Sequence, residues 1–397
     1  MKKIIYFLFP VIIPILGFMT GKPEPAIENS KIRIIFHAAG PLWECKDKAT
    51  GRIFTLYGPS FEIDKLQYDC ILNSLEQAGE PRKLNNGVTE YAFEGAYKNK
   101  PDLKLKFFCR VADTSSVIRF KYEISSTASH RMTKKSGKDN ITYLTASFAG
   151  LSETKEVVLS NFNEQVHSYC LIENKIEQKH FNNSFSLMGP ILESTDNKNS
   201  VLLAYEHGSQ APNVFLNFQL APDRSVKLMA VKGNYYDGQI IDATHSYQTI
   251  WFEAALTKGG DDNLAKEYRS FVLHYMSLNA ESRKPYIFYN TWNFQERNKH
   301  WYKRPYLADM TQERMLKEIE AAHRMGIEVF VIDAGWFDKT GDWNPSGMRF
   351  PDKLKTIKQM LDRYDMKLGL WFNPTAAATS SRMLQTHSEC IKTWNGN

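Results

Sequence analysis

From about residue 31 to residue 256 the chain alternates apolar and polar positions with a period of two. In VIRFKYEI, Ile118, Phe120, Tyr122 and Ile124 fall on one side, and Arg119, Lys121 and Glu123 on the other. NVFLNFQL repeats the pattern through Val214, Leu216, Phe218 and Leu220, and IRIIF, LKLKFF, VLLAYE and YQTIWFEAAL read similarly. Gly, Asn, Asp and Pro separate the runs. Such a series predicts a large antiparallel β-sandwich, and it contains no constellation of catalytic residues. The period then lengthens. In DDNLAKEYRSFVLHYM, Leu264, Tyr268, Phe271, Val272 and Tyr275 share one helical face, with Asp262 as the expected cap.

Beyond Lys284 strand and helix alternate. YIFYNTW reads as a strand, and TQERMLKEIEAAHRMG as a helix capped by Thr311, stopped by Gly326, with Met315, Leu316, Ile319 and Ala322 inward. IEVFVIDAGW is a second strand, DKLKTIKQMLDRYDM a helix with Leu354, Ile357, Leu361 and Tyr364 on one stripe, and MKLGLWFNP a third strand. Apolar strands joined by amphipathic helices imply parallel βα units. The expected fold class is therefore multidomain β and α/β. Its divisions are a signal peptide over 1–21, a sandwich over 22–260, a linker helix over 261–284, and βα units over 285–397.

The three strands end alike, as NTW, DAGW and LWFNP. The C-terminal edge of a parallel sheet is where βα loops build a binding site, in barrels and in doubly wound sheets alike. Asp333 is thus expected to end a buried strand because its carboxylate faces a pocket mouth, with Trp336 helping to wall that pocket. The competing reading has Asp333 capping a helix and the tryptophans filling core.

Composition adds limits. The chain has 397 residues, 43% hydrophobic and 24% charged, an ordinary globular balance that favours two or more domains. With 8 Trp and 19 Tyr it is rich in rings, which often only fill core but also suit flat ligands and sugar faces. The net charge is +6, with lysines scattered and no basic run, so no nucleic-acid surface is expected. MKK followed by the apolar IIYFLFPVIIPILGF reads as a secretory signal too short for a stable membrane span. Its removal, with Lys2 and Lys3, lowers the charge from +6 to +4. The expected destination is periplasmic or extracellular. Cys45, Cys70, Cys109, Cys170 and Cys390 form no C-x-x-C pair, so buried free thiols are expected. No H-E-x-x-H spacing and no Gly-rich phosphate loop occurs, and no metal or other cofactor is implied.

Residues 285 to 375 resemble the family 36 glycoside hydrolases, the melibiase-type α-galactosidases. That family opens its barrel with N-[TN]-W, here Asn290, Thr291 and Trp292. Its second strand ends D-D-G-W, here Asp333, Ala334, Gly335 and Trp336, followed by G-D-W, here Gly341, Asp342 and Trp343. Its third reads G-[LM]-W-[FV]-E-P-E, here Gly369 to Thr375. Order and spacing agree apart from an insertion around Gln295 to Tyr306. The resemblance implies a β-supersandwich followed by a (β/α)8 barrel, of which three βα units lie in this sequence, making the barrel incomplete. It implies substrate contacts at Trp292, Asp333 and Trp371, and with Trp336 of the strand end and Trp343 of the G-D-W motif these are the expected substrate-binding residues.

The sequence departs from the family where Ala334 replaces the second aspartate and where Asn373 and Thr375 replace two glutamates, which leaves galactose preference open. The family's nucleophile belongs to a K-x-D motif on the fourth strand and its acid/base to the sixth, so no catalytic residue is expected within this chain. IKTW at 391–394 lies too close to Trp371 and lacks the aspartate. The expected activity is retaining hydrolysis of terminal α-galactosyl residues of an oligosaccharide, by an exported enzyme of which this chain is the N-terminal part and, alone, inactive. The alternatives are an α-N-acetylgalactosaminidase or related α-glycosidase, and a non-catalytic carbohydrate-binding protein or inactive truncated paralogue. Homo-oligomerisation stays open.

Overall fold

The computed structural model describes residues 24–390, except 135–140, 160–170, 184, 197, 209–215, 231–237 and 278. The signal-peptide segment, Val214, Cys170 and IKTW therefore lie outside the described residues, as does the side chain of Cys390. The chain divides into two compact units, Met1–Asn279 and Ala280–Asn397.

Among the described residues the first unit is built on two large antiparallel sheets, with two short two-stranded sheets besides. Eight strands pair in one, beginning with Ala26–Glu28, Ile32–Phe36, Trp43–Asp47 and Ile53–Tyr57, then crossing to Thr142–Ser147, Ser225–Ala230, Leu216–Leu220 and Ser186–Leu187. The other has eleven, with Asn199–Tyr205, Phe252–Lys258, Val117–Ser126, Lys100–Ala112 and Val88–Tyr97 at its centre. The period of two sets the register. Ile118, Phe120, Tyr122 and Ile124 pair with Val111, Cys109, Phe107 and Leu105, and these residues are buried while Arg119, Lys121 and Glu123 are not. One slipped residue would turn the whole row outward. Between the sheets sits an aromatic core of Phe36, Trp43, Phe93, Phe107, Phe120, Tyr122, Tyr143 and Phe252. Its ring pairs are 4.3 to 6.4 Å apart, and each buried ring contributes about 1.5–3 kcal/mol. Cys45, Cys70 and Cys109 are free thiols, and burial pushes all three up, Cys70 to about 12.

The alternation fails in Phe252–Lys258, where every residue but the last is buried. The reason is the helix Asp261–Phe271, expected as a linker, which lies against the outer face of this sheet. Its Leu264 and Phe271 pack on Val117, Leu202, Ala204 and Ala255. Gly260, not Asp262, is its N-cap, and both Asp261 and Asp262 sit in the first turn, where negative charge suits the helix dipole.

In the second unit three parallel strands, Phe288–Asn290, Val329–Ile332 and Lys367–Leu370, lie in sequence order. Thr311 Oγ1 accepts from the Arg314 N–H at 3.2 Å and caps the helix Gln312–Arg324. Met315, Ile319 and Ala322 of that helix, with Ile357 and Leu361 of the helix Lys355–Arg363, bury Phe330 and Ile332. The expected insertion holds a further helix, Trp292–His300, whose WNFQERNKH lacks the apolar stripe that would announce it.

Candidate functional site

The ends of the three parallel strands organise one another. The Asp333 N–H donates to Thr291 Oγ1 at 2.8 Å, across from the second strand to the first. Asn290 then bridges. Its Nδ2 donates to Asp333 Oδ2 at 3.0 Å, and its Oδ1 accepts the Trp292 N–H at 2.8 Å. The other carboxylate oxygen, Oδ1, accepts the Ala334 N–H at 2.7 Å. Asp333 is 6% exposed. It caps no helix, because a turn follows it. Each of its oxygens takes one bond from the protein. A carboxylate offers about four lone-pair positions, so the group is fixed in direction with acceptor capacity in reserve.

Trp292, Asp333, Ala334 and Trp371 line a cleft of about 250 Å³. The two indoles are 38% and 39% exposed, which leaves ring faces open to a ligand. Trp292 is backed by Tyr306, ring centroids 5.3 Å apart.

Trp336 and Trp343 do not line this cleft. Trp336, expected to help wall it, is 5% exposed, and its indole N–H donates to the Trp371 carbonyl at 2.7 Å. Trp343 packs between Trp336 at 6.3 Å, Phe337 at 4.6 Å and Trp371 at 6.4 Å. Both act from behind Trp371. The loop that carries them is shaped by Gly335 and Gly341, at φ +105° and +99°. A Cβ on Gly335 would come within 2.8 Å of Leu307. Asp342 accepts from the Met383 N–H at 3.0 Å, and backbone donors there hold its carboxyl below the usual range. Of the five expected contacts, the structure brings Trp292, Asp333 and Trp371 to the cleft and sets Trp336 and Trp343 as their support. Asn290 and Thr291, read in the sequence only as parts of NTW, are the residues that aim Asp333. Among the described residues no group of His, Cys, Asp or Glu is disposed to hold a metal, and no helix is long and apolar enough to cross a membrane.

The described residues thus form a β-sandwich followed by parallel βα units, with an aromatic and acidic cleft at the strand ends. Residues 246–396 match the Melibiase family model, and the chain is similar in sequence and fold to family 36 α-galactosidases. It is 25% identical over 153 residues to Alpha-galactosidase 2 of Pediococcus pentosaceus, a stretch covering 37% of this chain and 19% of that one. Alpha-galactosidase of Escherichia coli is 24% identical over 155 residues, covering 37% and 20%. In fold it is similar to the family 36 α-galactosidase AgaA of Geobacillus stearothermophilus, solved with raffinose, at a TM-score of 0.64 and 11% identity. The galactosidase domain of the α-galactosidase-sucrose kinase AgaSK gives 0.65 and 11%. Each alignment covers 92% of this chain and 58% of the solved one, so the chain spans little more than half the length of those structures.

Proposed function

We propose that this chain forms the sandwich and the first part of the sugar subsite of an exported, retaining α-galactosidase-like hydrolase acting on an oligosaccharide. The observation that carries the reading is the cleft of Trp292, Asp333 and Trp371 at the ends of three parallel strands. The indole faces suit the C–H face of a pyranose. Asp333, already oriented by Asn290 and Ala334, accepts hydrogen bonds from sugar hydroxyls, each charge-assisted bond contributing about 1.5–3 kcal/mol.

Asp333 positions the sugar and is not the nucleophile. A retaining glycosidase uses two carboxyl groups about 5–5.5 Å apart, and this cleft is lined by one carboxylate. The nucleophile and the acid/base are accordingly supplied from outside residues 24–390, in the remainder of a (β/α)8 barrel.

Ala334 favours a second reading of specificity. It stands in the cleft wall beside Asp333 and offers no acceptor to a hydroxyl, which fits an α-N-acetylgalactosaminidase or another hexose preference. A non-catalytic sugar-binding role would leave the cleft intact and the carboxyl pair absent from the whole gene product.

Titration of tryptophan fluorescence with galactose, N-acetylgalactosamine and glucose tests the subsite. Saturable quenching that Asp333→Asn weakens about tenfold or more is the expected result. Equal quenching by all three sugars, untouched by Asp333→Asn, would rule the subsite out. Aryl α-galactoside turnover by this chain alone would overturn the placement of the catalytic pair. The reading frame beyond codon 397 separates the enzyme from the binding protein, since a carboxyl pair must be encoded there for hydrolysis.

A further inference from the structure

A second cleft lies wholly within the first unit, where the helix Asp261–Phe271 meets the ends of the sandwich strands. Its volume is about 430 Å³, larger than the cleft at Asp333, and they share no residue. Four lysines line it, Lys31, Lys48, Lys258 and Lys266, against two carboxylates, Asp47 and Glu267.

The charges are not balanced within the fold. Lys31 is bound to Glu267, and Lys48 to Glu28 and the Asn29 carbonyl. Glu267 is fully engaged, since it also accepts from Ser115 Oγ at 2.9 Å and the Ser116 N–H at 2.8 Å. Lys258 and Lys266 have no ion-pair partner among the described residues.

A second observation points to a ligand independently of the lysines. Ser116 is 2% exposed and Thr257 8% exposed, both line the cleft, and neither Ser116 Oγ nor Thr257 Oγ1 has a hydrogen-bond partner. Buried polar groups are nearly always paired, and leaving two together unpaired carries a free-energy cost that an occupant relieves. Asp47 adds an acceptor. Its Oδ1 takes both bonds from Thr50, at 2.7 and 3.0 Å, which leaves Oδ2 available.

We propose that this cleft binds an acidic saccharide, a sugar ring bearing a carboxylate, sulfate or phosphate. Lys258 and Lys266 supply the charge for the acidic group. Ser116, Thr257 and Asp47 supply the alternating donors and acceptors that sugar hydroxyls require, which a bare inorganic anion would not use. The space exceeds what such an anion fills. The site is independent of the cleft at Asp333 and stands whether or not that cleft takes galactose.

Calorimetric titration of the full 397-residue chain at low salt tests this, with galacturonate, galactose and inorganic phosphate as probes. In the Trp371→Ala protein, whose other cleft is disabled, galacturonate is expected to bind at least about tenfold more tightly than either control, and to weaken as salt rises. The double change Lys258→Gln with Lys266→Gln should lower its affinity about tenfold, and Thr257→Val about fivefold. Thr257→Ser keeps the hydroxyl and should retain binding, which separates a lost contact from a fold defect. Trp371→Ala, in the other cleft, should leave it unchanged. Phosphate binding as tightly as galacturonate, galactose binding as tightly to the Trp371→Ala protein, or lysine-pair and Thr257→Val variants that bind like the parent would each overturn the proposal.

Discussion

The two sheets of the sandwich and the parallel sheet of the second unit bury their residues in different ways, and the difference separates a unit built around a closed aromatic core from the unit that carries the proposed sugar cleft. In Lys100–Ala112 and Val117–Ser126 one face is closed by aromatics and the other is half-wet, the ordinary condition of an antiparallel sheet. Where an outer face is closed, at Phe252–Lys258, a helix of the same unit closes it. A parallel sheet is usually buried on both faces. In the second unit only one is. Phe330 and Ile332 are sealed by helices, while Val329 and Val331, on the central strand, remain half-exposed and Phe288 beside them is exposed. That open face leads at its C-terminal end to Asn290, Asp333 and Trp371.

The sharpest way to break this contrast is to delete one side chain from each face. Phe120 contacts Trp43, Phe107, Tyr122 and Phe252, so Phe120→Ala should cost about 3–5 kcal/mol in urea unfolding. Val331→Ala, on the half-open face, should cost under about 1 kcal/mol. If the two losses were alike, the face at Val331 would be covered in solution, and the distinction drawn between the units would fail.

The second contrast is between two buried carboxyls. Asp333 has a donor on each oxygen. Glu253, on the outer face of the sandwich under the helix Asp261–Phe271, accepts from the Tyr268 hydroxyl through one oxygen and has no donor on the other. Burial pushes Glu253 up to about 7 against the Tyr268 bond, and the neighbouring Glu206, itself held by Arg119, adds to the rise. A carboxyl raised in the folded state above its ordinary 4.5 keeps a proton that the unfolded chain has released. Stability should therefore fall as pH rises from about 4.5 to about 7, by on the order of 3 kcal/mol, and level off above. Glu253→Gln, always neutral, should flatten that slope and be the more stable protein at pH 8. Parallel stability curves for the two proteins across the window would show that Glu253 ionises as freely in the fold as outside it.

The sandwich was legible because a period of two is a direct record of which side chains face the core, as at Ile118, Phe120, Tyr122 and Ile124. The βα units were legible for the same reason at a longer period, with Thr311 and Gly326 marking helix ends. The strand-end location of the site was legible too, since an apolar run that stops at Asp333 puts its carboxylate at the C-terminal edge of the parallel sheet. Three things were not. The helix Trp292–His300 buries Phe294, Gln295 and Asn298 through contacts outside its own pattern. The cover over Phe252–Lys258 is a tertiary event, invisible in either segment alone. The roles of the tryptophans depend on which indole faces outward, and Trp336 and Trp371 look equivalent in sequence while one is buried and the other half-open. The second cleft, made by side chains from residues 30 to 267, leaves no local motif.

The division of labour among those tryptophans gives the smallest effect and the finest test. Trp336 reaches the cleft only through its N–H to the Trp371 carbonyl and through the Phe337 and Trp343 rings. Trp336→Phe keeps an aromatic body and removes the donor, so it should cost about 1 kcal/mol of stability in the second unit, the net worth of one hydrogen bond. With its carbonyl released, Trp371 should hold its indole less firmly, and sugar affinity should drop about threefold, less than 1 kcal/mol. Trp371→Ala removes the ring itself and should abolish measurable binding. Fluorescence titration of the two variants beside the parent distinguishes support from contact. A loss in Trp336→Phe as deep as that in Trp371→Ala would mean that Trp336 meets the sugar directly, as its place in the DAGW strand end first suggested, and that the cleft extends past the residues now seen to line it.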